Sequence, residues 1–188
     1  MRRLILTSLI IIIPHICSAP ILDFRLKMIR FLSISEYVNI KLHQSEFSRF
    51  VNDLGYRESG NNWLSVNLIG CFGEWQFAES TLKYLGFRNI TLKKFKANPN
   101  IFPKELQLKA LMTLIKVNLG YLEDYEHFIG KSIKDVVITK SGMIAASHLG
   151  GAGSLIKYLE SEGKINKKDV FGTSIHDYLK KFCNYELE

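Results

Sequence analysis

The chain has 188 residues, of which 47% are hydrophobic, 12% aromatic and 23% charged, a balance that suits one folded domain and excludes a disordered or low-complexity chain. Its 25 lysines and arginines exceed its 18 acids for a formal net charge of +7, which draws the chain toward anionic partners without choosing among cell wall, nucleic acid and lipid. There is no His-Glu-x-x-His and no Cys-x-x-Cys, and Gly150-Gly151-Ala152-Gly153 lies between helices instead of after a strand; no metal, nucleotide or other cofactor is therefore expected.

The chain opens Met1-Arg2-Arg3, continues with an apolar run from Leu4 to Ile13, and reaches Cys17-Ser18-Ala19. A positive start, about ten apolar residues and small residues at a cleavage point make 1–19 a signal peptide, since a membrane span wants roughly 20 apolar residues. The expected product is exported, periplasmic or extracellular, without a stable membrane span after cleavage. His15-Ile16 before Cys17 argues against a lipid-anchored cysteine. Loss of Arg2 and Arg3 leaves 23 basic against 18 acidic side chains, a net charge of +5. Cys71 and Cys183 remain, either paired in an oxidising compartment or as two separate buried thiols.

Residues 20–44 read as an N-terminal extension or first helix, with Ser33 and Glu36 at capping-box spacing. Residues 45–188 read as one helical domain. After Ser45, the residues Phe47, Phe50, Val51 and Leu54 give an apolar face at i, i+3, i+4, i+7; four residues further the same face carries Glu58, just before the helix-ending Ser59-Gly60-Asn61-Asn62. From Trp63 to Phe77 the helical period disappears, predicting a loop or small β-excursion that lines a cleft. A short helix comes next over Glu79–Leu85, stopped by Gly86. Pro103 opens a long helix through Leu106, Ala110, Leu114 and Val117, expected to be the central core element. Further helices are predicted from Ser141 to His148, from Ala152 to Glu162, and from a Thr173-Ser174 cap to Phe182. The fold class is mainly α, with α+β character only in the excursion.

A carboxylate on the apolar face of a helix's C-terminal end feels desolvation and the negative end of the helix dipole, both of which favour its protonated form. Glycosidases need such an acid to protonate a departing glycosidic oxygen and then to act as base. The bland alternative is a solvated glutamate at a helix end.

The segment Arg57-Glu58-Ser59-Gly60-Asn61-Asn62-Trp63, followed by Asn67, Gly70 and Gly73-Glu74-Trp75-Gln76-Phe77, resembles the core of the lytic transglycosylase and goose-type lysozyme superfamily: a helix ending Glu-Ser-Gly, then a Gly-x-x-Gln block. The family's third block, Ala-x-x-Tyr-Asn-x-Gly, corresponds to Ala145-Ala146-Ser147-His148-Leu149-Gly150-Gly151, where Ser147 replaces the usual tyrosine and His148 the asparagine. The likeness runs loosely from Phe47 to Tyr185. It implies a lysozyme-like, SLT-type fold and cleavage of the β-1,4 bond between N-acetylmuramic acid and N-acetylglucosamine in peptidoglycan, with a 1,6-anhydro product and Glu58 as acid and base.

On that resemblance, Gln76 is a substrate-side amide or a structural tie of its loop. Trp75, like Trp63, stacks on sugar or belongs to the core; Ser59 holds Glu58 or the loop, and His148 orients a group across the cleft or is a satisfied helix-end histidine. The expected partner is the peptidoglycan glycan strand, with no nucleic acid. A hydrolytic lysozyme would need a second carboxylate, for which Asp53, Glu74 and Glu79 are the nearest candidates, Asp53 pointing away around the helix. A glycan-binding protein that has lost catalysis is the remaining alternative, favoured by Ser147.

Overall fold

The computed structural model describes residues 34–187, with side chains from Ser45 onward. The expected signal peptide 1–19, the extension as far as Ser33 and the proposed cap at Ser33 lie outside the described residues. The chain divides into two units, Met1–Ile40 and Lys41–Glu188, and the second holds the core and the cleft. Among the described residues, no helix is long and apolar enough to cross a membrane.

The protein is mainly helical. Helix α1 spans Ile34–Ser59, with Phe50 and Leu54 fully buried on the face that sequence periodicity assigns to the core. After the loop come α2, Glu79–Tyr84, and α3, Leu92–Ala97, whose N-cap Thr91 accepts the Lys94 amide. Sequence periodicity does not reveal α3, because six residues are too few to show a period. A 3-10 turn at Pro99–Ile101 then leads to α4, Lys104–Leu122, entered through Pro103.

A second 3-10 turn, Glu123–Phe128, precedes a two-stranded antiparallel hairpin of β1, Ser132–Ile133, and β2, Val136–Val137. Helices α5, Lys140–Gly150, α6, Ala152–Glu160, and α7, Ile175–Lys181, complete the fold. Helix α7 begins in a reciprocal capping box between Ser174 and Asp177.

The central element is α5 and not, as helix length suggests, α4. Every residue from Ser141 to Ser147 is buried, and α5 packs against α4, α6 and α7. Helix α4 keeps an open face at Leu108 and Met112. Small residues explain the difference: Gly142 lets the backbone of α7 approach, since a Cβ there would lie 3.1 Å from the Leu179 carbonyl oxygen. Length does not determine depth.

Two aromatic groups anchor the ends of the core. Phe72 packs on Phe95 at 4.9 Å and edge-on to Phe102 at 5.9 Å, which fixes the excursion against α3 and the start of α4. Phe50 meets Phe182 at 5.8 Å and Tyr185 at 5.4 Å, which ties α1 to the C-terminal segment.

The hairpin is tied to α6 and α7 by polar contacts. His176 meets the Tyr158 hydroxyl through Nδ1 at 2.6 Å and the Asp135 carboxylate through Nε2 at 2.9 Å, and Lys180 reaches the other oxygen of Asp135 at 2.6 Å. These contacts fix the first turn of α7, which carries Tyr178.

Candidate active site

The excursion 60–78 folds back on itself through single bridges from Phe72 to Val66 and to Phe77. One buried side chain holds it to α4. The Gln107 amide accepts the Glu74 N–H at 2.6 Å and donates to the carbonyls of Trp63 and Phe102 at 2.9 and 2.8 Å. All three contacts require a neutral amide, the one group that accepts on one atom and donates twice on the other. Gly73 opposite has φ +85°, and a Cβ there would lie 2.6 Å from the Gln107 oxygen, so the close approach demands glycine.

This loop, the end of α1, the end of α5 and the 169–178 segment enclose a cleft of about 360 Å³. Glu58 lines it, its side chain 14% exposed. Oε1 of Glu58 accepts the Tyr178 hydroxyl at 2.5 Å. Burial, and then the charge of Glu58, push the Tyr178 hydroxyl well above the ordinary tyrosine range, so Tyr178 stays a donor. Arg57 donates to the Thr173 hydroxyl at 3.3 Å and lies 5.9 Å from the Tyr178 ring centroid.

Gln76 lines the same cleft. Its backbone has φ +48°, and its Nε2 donates to the Gly73 carbonyl at 2.7 Å, which ties the loop. Its Oε1 is buried with no hydrogen-bond partner, a group that a ligand N–H or O–H would satisfy. The structural tie is thus seen at one end of this amide, and the other end leaves a buried acceptor without a partner beside the cleft.

His148, 7% exposed, stands across from Glu58 with Nε2 3.9 Å from Oε1, beyond hydrogen-bond length. Nε2 instead meets the Trp75 carbonyl at 3.0 Å. A carbonyl can only accept, so a hydrogen sits on Nε2, while the buried Nδ1 has no hydrogen-bond partner.

The structure thus brings Glu58, Gln76 and His148 to one cleft and leaves the side chains of Ser59 and Trp75 out of it. The Ser59 hydroxyl donates to the Glu74 carbonyl at 2.7 Å and accepts the Asn62 N–H at 3.0 Å; it ties the loop and does not line the cleft. Trp75 is 3% exposed, its indole N–H donates to the Val51 carbonyl at 3.1 Å, and its ring faces a different groove, between α1 and α4. Trp63 contributes its carbonyl to Gln107.

The three acids named as candidates for a second carboxylate are engaged elsewhere. Asp53 accepts the Tyr185 hydroxyl at 2.7 Å. Glu74 is buried beside Lys104 at 3.3 Å in the α1–α4 groove. Glu79 accepts the Leu92 amide at 2.8 Å. The other acid lining the cleft is Asp169, more than a hundred positions from Glu58, a separation over which helix-based spacing carries no signal.

Tyr178 escapes sequence reading for the same reason, while Ser147 donates within its own helix to the Ile144 carbonyl at 2.9 Å. Cys71 also lines the cleft, its thiol pushed up by burial. Cys71 and Cys183 are free thiols. Among the described residues, no group of three or more His, Cys, Asp and Glu could hold a metal ion.

Compared with protein-family models, curated proteins and solved structures, the chain matches none.

Proposed function

We propose that this protein is an exported lytic transglycosylase that cleaves the β-1,4 bond between N-acetylmuramic acid and N-acetylglucosamine of peptidoglycan. The observation that carries the reading is a part-buried glutamate, Glu58, in a cleft, with one carboxyl oxygen held by the Tyr178 hydroxyl. The likeness of the Glu-Ser-Gly and Gly-x-x-Gln blocks to the lytic transglycosylase superfamily supports it.

With Oε1 occupied by Tyr178, the exchangeable proton belongs on Oε2. Glu58 gives that proton to the glycosidic oxygen; the C1–O bond breaks and its electron pair stays with the departing N-acetylglucosamine O4. Positive charge develops at C1 of the muramic ring. The C6 hydroxyl of that ring then attacks C1, its proton passes to the Glu58 carboxylate, and a C1–O6 bond closes the 1,6-anhydro ring. Gln76 Oε1 accepts from an acetamido N–H or a sugar hydroxyl.

A hydrolytic reading rests on Asp169, which lines the same cleft and could hold a water for attack at C1. Mass spectrometry of products released from peptidoglycan separates the two. Anhydro-muropeptides from wild type and from Asp169→Asn, with none from Glu58→Gln, are expected; reducing ends that depend on Asp169 establish a lysozyme. Undiminished peptidoglycan binding without release by wild type means that a glycan-binding protein remains.

A further inference from the structure

The two lips of the cleft are built alike. One is Asn67-Leu68-Ile69-Gly70-Cys71, the other Asp169-Val170-Phe171-Gly172-Thr173. In the first, the Asn67 side-chain oxygen accepts the amides of Ile69 and Cys71 at 3.0 and 2.9 Å. In the second, Asp169 Oδ1 accepts those of Phe171 and Thr173 at 2.9 and 2.8 Å. Backbone bonds match too: Asn67 N–H to the Cys71 carbonyl at 2.9 Å beside Asp169 N–H to the Thr173 carbonyl at 2.8 Å, with Gly70 and Gly172 donating back to the Asn67 and Asp169 carbonyls. Both glycines have positive φ, +85° and +87°.

Each turn is thus closed by side-chain and backbone hydrogen bonds that leave its second and third side chains out of the turn's own fold. Polar residues would serve there equally well. Instead both turns present pairs of large apolar side chains: Leu68 is 95% exposed, Ile69 57%, Val170 69% and Phe171 59%. Ile69 and Phe171 line the cleft, whereas Leu68 and Val170 do not. A ligand confined to the cleft therefore leaves Leu68 and Val170 in water, and a larger apolar medium is needed to cover all four.

Charge names that medium. The second lip comes directly after Lys164, Lys167 and Lys168, all exposed. The one acid of the segment 164–173, Asp169, turns an oxygen onto its own loop backbone. Apolar tips beside lysines fit an anionic lipid surface: the tips enter the headgroup boundary while the ammonium groups meet phosphates.

We propose that the paired turns 67–71 and 169–173 are a membrane-docking device that seats the mouth of the Glu58 cleft against an anionic bilayer. The inference rests on the lips and stands apart from the reaction assigned to Glu58. It confines the cleft to polymer lying near the headgroups.

The test uses the full chain with vesicles of phosphatidylcholine alone or mixed with phosphatidylglycerol. In Leu68→Trp, the emission difference from wild type should shift to the blue on mixed vesicles and be quenched by acyl-brominated lipid. Binding should weaken about tenfold or more on phosphatidylcholine alone, and likewise for Leu68→Ser with Val170→Ser on mixed vesicles. That double variant should keep wild-type turnover of soluble glycan oligomers.

An unshifted and unquenched emission difference in Leu68→Trp overturns the proposal, and so does wild-type vesicle binding by the double variant. If the double variant instead loses oligomer turnover with its fold intact by circular dichroism, the tips are sugar contacts and the lipid role fails. Should the double variant not fold, the Leu68→Trp emission decides alone.

Discussion

Tyr178 gives its phenolic hydrogen to Oε1 of Glu58 at 2.5 Å, across 120 positions of sequence. The bond joins the end of α1 to α7, and its donor is held in the core by the Phe182 ring at 5.4 Å. Tyr178→Phe keeps the ring and removes the donor. Once Glu58 has given its proton to the glycosidic oxygen, a hydrogen bond to the charged carboxylate contributes about 1.5–3 kcal/mol, so kcat/KM on peptidoglycan should fall by about 10- to 100-fold with the fold retained, while Glu58→Gln should abolish turnover. Unchanged kinetics in Tyr178→Phe would remove the hydroxyl from the reaction.

Thiol chemistry reports on the cleft. Cys71 is free, lines the cleft, and has its thiol pushed up by burial, so it should react with maleimide more slowly than a model thiol at pH 7. Once modified, it should block turnover, because the adduct fills space beside Glu58. Peptide mapping of the labelled protein checks both points. A Cys71–Cys183 crosslinked peptide in its place would contradict the two free thiols.

Gly73 and Gln107 should fail together. Gly73→Ala places a methyl group against the Gln107 amide at a backbone angle costly for alanine, for a loss of about 2–4 kcal/mol. Gln107→Leu leaves the Glu74 N–H and two carbonyls unpaired in the interior, about 2–5 kcal/mol. Urea denaturation midpoints measure each, and because the two residues touch, the double variant should cost less than the sum.

Alkaline unfolding should track Tyr158, which is buried, and Tyr185, which is half-buried. Burial, then the Asp135 charge, push Tyr158 up to about 12; burial, then the Asp53 hydrogen bond, push Tyr185 up to about 12. Folded-state values above the unfolded value near 10 mean that the unfolded chain releases these protons first. Their stabilising contribution is complete below pH 10 and is lost as pH rises toward 12. The melting temperature should therefore drop across that window, with absorbance at 295 nm showing tyrosines that ionise only as the protein unfolds.

Sequence was informative as far as its signals reach. Periodicity over Phe47–Leu54 located the buried face of α1 and its end near Glu58, and Ser174 and Pro103 marked two helix starts, because caps and faces are local. Helix α3 and the hairpin are six residues and two two-residue strands, shorter than any period can show. Ser59 is legible as the sequence neighbour of Glu58 and Trp75 as that of Gln76, but the folded chain sends Trp75 into the α1–α4 groove and binds Ser59 to backbone. Tyr178 and Asp169 reach the cleft only through tertiary packing. The matched lips left a signal that spacing alone does carry: Asn or Asp, two apolar residues, then Gly, written twice.

Trp75 ends one hydrogen bond at its indole nitrogen and begins another at its carbonyl oxygen, the first on Val51 of α1 and the second on His148 of α5. Between those two atoms the free torsions are held by burial, since the side chain is 3% exposed. The residue acts as a strut between the helix that carries Glu58 and the helix that carries His148. The gap across which these two side chains face each other is in this sense gauged by one amino acid, and a smaller side chain at position 75 would remove the gauge along with the bulk.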